Sequence, residues 1–343
     1  LYKSPEFLPL TLNNASEEWA AVRQESSICR RLLLVIAMLS LASCRDGTAS
    51  QPAIHPGRWV AAPSLVEVNL LGVDLIDEKN GWAVGDMGLT NGAVLRTSDG
   101  GLSWQTASKT DEILAAVDFV SLSRGWVAGY AGRIQRTDDG GASWRVQRLE
   151  RQHEILNSLF FLDNERGWAV GGAGLLLITA NGGETWDVVP TGRAEDLWSV
   201  KFSTRDRGLI VGEDGLILTT GNGGHEWTQQ ASGTGRALFG VAVAPDYAVA
   251  VGEGGMILRT EDFNTWTEIE SGTGETLNAV ALSKETCWAV GSKGVTVGSI
   301  DKGKSWSLAP TIVAGDLTAV SLSGPASAVA IGRRGAIESL RHD

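Results

Sequence analysis

Apolar and polar residues in this chain alternate in short runs, with no long helical faces over most of its length. Residues 113–147 are typical. Ile113–Val120 alternates with period two, and Gly125–Gly129, Arg133–Thr137 and Ser143–Gln147 follow as three further short runs. Gly, Ser, Asp or Asn punctuates each run, so the pattern predicts four strands joined by tight turns. The second and third runs meet through Gly129-Tyr-Ala-Gly132, and a Gly-x-x-Gly turn recurs at 171–174, 212–215, 252–255, 291–294 and 332–335. Glycine at both ends is expected to permit the chain reversal.

The unit repeats. GWAVG at 81–85 returns as GWVAG at 125–129 and GWAVG at 167–171, with looser copies at 208–212, 247–252, 287–291 and 327–332. Their last glycines are spaced by 44, 42, 41, 40, 39 and 41 residues. A second signature is interleaved: Thr97-Ser-Asp99-Gly-Gly101-Leu-Ser-Trp104, then Thr137 to Trp144 and Thr179 to Trp186, with looser copies ending at Trp227, Trp266 and Trp306. It resembles the Asp-box of bacterial neuraminidase repeats. The Asp or Asn is expected to bond amides of its own turn while the Trp covers the hairpin edge. Four-stranded units of ~40–45 residues predict propeller blades.

Seven second-strand motifs are present but only six Asp-box tryptophans follow them, and Trp59 lies 45 residues before Trp104. The predicted fold is therefore all-β: a seven-bladed β-propeller of four-stranded antiparallel blades. Residues about 58–62 should complete the last blade beside Gly335–Leu340, closing the ring and removing a free sheet edge. Eleven of the thirteen tryptophans fall on repeat positions and are expected to pack between blades, leaving Trp19 and Trp198 outside the pattern. Cys287, beside Trp288, reads as a small buried hydrophobe.

Composition narrows the function. A net charge of −11 argues against non-specific nucleic-acid binding. Three cysteines are too few for a disulfide framework or a four-thiolate zinc site. His55, His153, His225 and His342 are not at metal-ligand spacing, so no metal and no cofactor is expected. Nucleophile-elbow, P-loop and Rossmann signatures are absent.

Residues 32–41, LLLVIAMLSL, follow Arg30 and Arg31 and precede Ala42-Ser43-Cys44. Ten apolar residues make about 15 Å of helix, half a bilayer core, so a signal peptide is favoured over a span. Leu41-Ala42-Ser43-Cys44 resembles a bacterial lipobox, which implies diacylation of Cys44 as the first mature residue; a plain secretory signal is the alternative. Residues 1–43 are read as an extension plus lipoprotein signal peptide, with the true start near Val22. Residues 44–57 are a lipidated tether and 58–340 a single propeller.

A sialidase would also carry Asp-boxes on a propeller. It needs an arginine cluster, a Tyr activated by Glu, and an acid on loops. The tyrosines here are Tyr2, Tyr130 and Tyr247, with Tyr130 in a tight hairpin and Tyr247 at a strand start. The blades lack pocket-bearing insertions and number seven, where sialidases have six. The chain therefore reads as a non-enzyme.

Seven units of the form GWAVG-x-x-G-x-ILRT-x-DGG-x-SW behind a lipobox resemble the photosystem II assembly and stability factor family over about residues 58–340. The resemblance implies a non-catalytic, extracytoplasmic protein-binding propeller. It would be lipid-anchored on the periplasmic or thylakoid-lumen side, monomeric, and would dock on membrane-complex subunits or other assembly factors. It also implies an arginine-rich docking patch. Second-to-third-strand turns and outer-to-inner loops share one propeller face, which would bring Arg148, Arg151, Arg193, Arg236, Arg333 and Arg334 to one rim. Arg96, Arg136 and Arg259, each just before an Asp-box Thr, face either a blade interface or the opposite rim. Two other readings stay open: an Asp-box sialidase-like glycosidase, and a cell-envelope scaffold lipoprotein unrelated to photosynthesis.

Overall fold

The computed structural model describes residues 58–62, 68–88, 91–148, 154–310 and 312–341. Cys44, the tether at 44–57 and Arg151 lie outside the described residues. Among those described, the strands form seven four-stranded antiparallel sheets. Six are consecutive in sequence, spanning 69–110, 114–148, 156–188, 197–230, 238–268 and 277–308. The seventh combines three C-terminal strands (Leu317–Gly324, Ser327–Gly332, Ile337–Arg341) with Arg58–Ala61. Trp59 stands opposite Leu340 and Val60 opposite Ser339, so the N-terminal strand closes the last blade as expected.

The innermost strands make the ring. Asn69–Leu75 packs on Leu114–Phe119, and the series continues through Leu156–Phe161, Leu197–Phe202, Leu238–Val243, Leu277–Ser283 and Leu317–Gly324 back to Asn69–Leu75. At that last junction the Thr318 hydroxyl donates to Leu70 O (2.7 Å) and Leu75 N donates to Ser321 Oγ (3.0 Å). Each innermost strand has a β-bulge just after its first leucine, which turns the strand at one end of the axis.

Tryptophan periodicity becomes interblade packing. Trp82, Trp126 and Trp168 stack on Phe119, Phe161 and Phe202 of the following blade, with centroids 3.6, 3.5 and 3.6 Å apart. The Asp-box residues Trp144, Trp186 and Trp227 meet the same phenylalanines edge-on. The indole N–H groups of Trp82, Trp126 and Trp168 donate to Gly140 O, Gly182 O and Gly223 O in the next blade's Asp-box. The seventh blade has no second-strand tryptophan, and there the third-strand Ser339 hydroxyl reaches the second glycine of the first blade's box, at Gly101 O (2.8 Å). Burying rings of this size contributes on the order of 2–3 kcal/mol each.

Six Asp-boxes among the described residues share one bonding scheme, the fifth (Thr260 to Trp266) being one residue shorter with Phe263 in its left-handed turn. In the second blade Asp139 accepts from Thr137 Oγ1, Ser143 N and Ser143 Oγ. Those donors hold its carboxyl down at about 2, the Ser143 hydroxyl contributing most. Asn181 and Asn222 make the same amide contacts without a charge, which marks the box as a structural device. Arg136 and Arg259 lie at blade interfaces: Arg136 donates to Gly182 O and Arg259 to Lys302 O, both in the next blade. Arg96 lies over the Trp82 ring.

One expectation about the Gly-x-x-Gly turn needs correcting. The first glycine is fully extended (Gly171 φ −165, Gly332 φ −165), a torsion open to any residue. It is required by close approach, because a Cβ on Gly171 would lie 1.9 Å from Ile155 O. Chain reversal falls to the last two turn residues, such as Ala173 (φ 53) and Gly174 (φ 70), both left-handed as a type I′ turn demands.

Candidate protein-binding face

The hairpin tips and the starts of the innermost strands meet at one end of the propeller. Gly172 N donates to Ile155 O, Glu213 N to Asp196 O, Ser292 N to Thr276 O and Arg333 N to Asp316 O. Neighbouring blades are clipped together there. Asp196 Oδ1 accepts from Ala173 N of the preceding tip (2.8 Å), Asp316 Oδ1 from Lys293 N (3.0 Å), and Asn69 Oδ1 from Arg334 N (3.2 Å). These clips use backbone N–H groups of the tips, so the tip side chains take no part in them.

The described arginines among those singled out in the sequence share this end of the molecule but occupy different sectors and different states. Arg148 is committed within the protein: Nη1 contacts Glu154 Oε2 at 2.6 Å and donates to Gly132 O, and its side chain is only 10% exposed. Arg193 is half-committed, donating to Gln229 Oε1 and lying 3.8 Å from Glu195. Arg236 is exposed and makes no side-chain ion pair among the described residues. Its guanidinium lies against Gly254 at the fifth-blade tip. Arg333 and Arg334 are adjacent and exposed at the seventh-blade tip, Arg333 with a loose 4.0 Å contact to Asp316. The fold thus brings Arg333 and Arg334 together and spreads Arg148, Arg193 and Arg236 across the second to fifth blades.

Sequence reasoning missed three features. Trp198, outside the repeat, meets Phe239 edge-on at 5.6 Å, each two residues into an innermost strand at the tip end. At the opposite end of the innermost strands of the first three blades, the Asp74 and Asp118 carboxylates accept from Phe119 N and Phe161 N of the next blade, both at 2.8 Å. Burial pushes both up, and the Asp74 charge adds to the effect on Asp118, which reaches about 7 despite attraction from Lys201. Glu338, 1% exposed on the closing blade, accepts from Val313 N (2.9 Å), and burial raises it to about 7. Donor and acceptor lie about one repeat apart in the two axial contacts, so the repeat length was the available signal.

Tyr247 is 1% exposed and its hydroxyl donates to Lys284 O, with burial pushing its pKa upward. A buried phenol with a committed proton is unsuited to nucleophilic attack on a sugar. Among the described residues, no group of three His, Cys, Asp or Glu side chains is placed to hold a metal ion.

Residues 106–194, from the outer strand of the first blade to the loop before the fourth, match a family model described as photosynthesis system II assembly factor YCF48. Over those residues the chain is similar to the repeat of the photosystem II assembly factor family. The photosystem II assembly lipoprotein Ycf48 of Prochlorococcus marinus (strain NATL2A) is 35% identical over 80 residues, covering 23% of this chain and 22% of the relative. The chain thus matches about a fifth of that relative's length. A solved structure titled YCF48 bound to D1 peptide superposes with a TM-score of 0.69 at 20% identity, over 84% of this chain and 98% of the other. YCF48 from Cyanidioschyzon merolae gives 0.67 at 21% identity, over 83% and 98%. The propeller of a GH74 xyloglucanase from Xanthomonas campestris also superposes, with a TM-score of 0.66 at 14% identity over 83% of this chain and 54% of that one. At such identities the superpositions establish the fold, which enzymes and binding proteins share.

Proposed function

We propose that this chain is a non-catalytic, protein-binding propeller that assists assembly of a membrane complex, as a photosystem II assembly factor does. The supporting observation is the family repeat at 106–194 on a closed seven-bladed ring, together with a structural relative whose title records a bound D1 peptide. The client is accordingly a segment of a reaction-centre subunit, D1 or its counterpart. It docks on the hairpin-tip face, where outward side chains carry no burden in the ring, and Arg236, Arg333 and Arg334 are the guanidinium groups open to it. Arg148 and Arg193 belong to the same rim and act through the loops they hold, and Arg151 joins them on the sequence pattern alone.

Cys44 carries the lipid anchor and residues 44–57 tether the propeller on the lumenal or periplasmic side of the membrane. The closing strand runs antiparallel to Ile337–Arg341, which leaves the tips toward the Asp-box end, so Arg58 stands at that end, opposite the tip face.

Affinity capture from native membranes with the full-length chain tests this reading, alongside direct titration with a synthetic D1 peptide. Co-purified reaction-centre polypeptides and saturable peptide binding are expected. Recovery of transporters or peptidoglycan enzymes, with no binding of the D1 peptide, would overturn it in favour of an envelope scaffold. Lipid labelling at Cys44 that is lost in Cys44→Ser checks the anchor.

A further inference from the structure

The hairpin tips occupy equivalent positions, yet their two variable residues differ by blade. They are Tyr130-Ala131, Gly172-Ala173, Glu213-Asp214, Glu253-Gly254, Ser292-Lys293 and Arg333-Arg334 in the second to seventh blades. Charge is therefore sorted around the ring. Acids occupy the fourth and fifth tips; bases occupy the sixth and seventh. The Glu213, Asp214 and Glu253 side chains have no ion-pair partner among the described residues, and Arg236 is the exposed base in that half. Lys293 leans on Glu275 (2.8 Å) and Arg333 loosely on Asp316, whereas Arg334 has no ion pair among the described residues.

The turn does not dictate these residues. The second variable position is left-handed in each tip, with φ of 53, 56 and 57 at Asp214, Lys293 and Arg334, while the fifth blade uses Gly254 there. A side chain at this torsion is disfavoured relative to glycine. Long cations are nevertheless kept at Lys293 and Arg334. On the axial strands of the two acidic-tipped blades, at the tip end, stand Trp198 and Phe239, both partly exposed. The indole Nε1 of Trp198 is buried without a hydrogen-bond partner.

We propose that the tip face is a two-signed seat for a peptide whose ends carry opposite charge. Its basic end lies over Glu213, Asp214 and Glu253, its acidic end over Arg333 and Arg334, and an apolar side chain between them rests on Trp198 and Phe239. The reading rests on the tip face being the client surface, and it adds the class of segment recognised: bipolar, with an apolar centre. Complementary charge at both ends fixes the direction in which the peptide lies, because a reversed peptide meets like charge twice.

The test uses the full-length chain and three synthetic peptides sharing one apolar centre: Lys-Lys at one end with Asp-Asp at the other, Asp-Asp at both ends, and Lys-Lys at both ends. Fluorescence anisotropy at low and physiological salt reads the affinities. The unaltered chain should bind the bipolar peptide about tenfold more tightly than either single-signed one, with the margin shrinking as salt rises. Combined Glu213→Lys, Asp214→Lys and Glu253→Lys should transfer the preference to the acidic peptide. Arg333→Glu with Arg334→Glu should transfer it to the basic one. Trp198→Ala should weaken all three. These positions are at the surface or partly exposed, and circular dichroism checks that each variant is folded. Equal binding of bipolar and acidic peptides, insensitivity to the acidic-tip reversals, or no binding of any peptide would overturn the proposal. Failure of the D1 peptide alone, with the designed peptides still discriminated, would refute the client assignment and leave the two-signed seat standing.

Discussion

Truncating Trp59 probes how much the ring depends on its N-terminal strand. Trp59 is 3% exposed and packs with Trp288, Val290, Leu317, Val320, Ala328, Ala330 and Leu340. Its ring meets Trp288 of the sixth blade edge-on at 5.2 Å and 86°. The side chain therefore joins the closing strand both to its own blade and to the neighbour. Trp59→Ala removes a large buried ring, which costs about 3–5 kcal/mol in a core that collapses only partly. The aromatic pair accounts for roughly 0.5–1.5 kcal/mol of that. Against a total stability of about 5–15 kcal/mol, the loss is severe. Urea denaturation followed by far-ultraviolet circular dichroism reads it, with Val188→Ala, at an outer strand residue 55% exposed, as the surface control. The control should stay within about 0.5 kcal/mol of the unaltered chain. Hydrogen exchange on Trp59→Ala should also show early loss of protection at Ser339 and Val329, whose strands pair with each other beside the closing strand. A Trp59→Ala midpoint matching that of the control would show that the closing strand is dispensable and refute the reasoning.

Other consequences follow from buried and hydrogen-bonded acids. Glu338 is raised to about 7 in the folded chain, so its contribution favours the native state at low pH and is lost as pH rises through 7. Glu338→Gln keeps an acceptor for Val313 N, so it should raise stability at pH 8 by up to roughly 3 kcal/mol and change little at pH 5; thermal melts across pH would show a flat difference if the carboxyl titrated normally. Asp139 has the opposite sign: its stabilisation is present above the ordinary carboxylate range and is lost only as pH falls through about 2. Because Asn181 already performs the same role, Asp139→Asn should fold with little loss, whereas Asp139→Ala should lower the melting temperature. Gly171→Ala places a Cβ 1.9 Å from Ile155 O and should destabilise strongly, while Gly192→Ala, with open space around it, should be limited by its left-handed torsion alone. Equal melting temperatures for those two variants would contradict the close-approach explanation.

Blade number, strand order and ring closure were legible because a repeat writes the same local physics several times. Trp82, Trp126 and Trp168 share one stacking geometry, so one interpretation covers all three. Departures from the repeat were harder to place. Ser339 bonds across the seventh interface through a hydroxyl that no motif would single out. Arg148 looked free in sequence because nothing there shows that Glu154 folds back onto it. The Asp74 and Asp118 contacts cross between blades, spanning 45 and 43 residues, so strand periodicity alone could not reveal them. Trp198 was visible as an exception, and its neighbour Phe239 became apparent only once adjacent innermost strands were in register.

The central claim is that the hairpin-tip face of a closed propeller receives a reaction-centre segment. Hydrogen exchange on the full-length chain with and without the D1 peptide tests it most directly. New protection is expected at the tips 172–175, 213–216, 253–256, 292–295 and 333–336, and at the strand starts beside Trp198 and Phe239. Protection confined to the Asp-box loops, such as 139–144 and 181–186, or no change with peptide present, would contradict it.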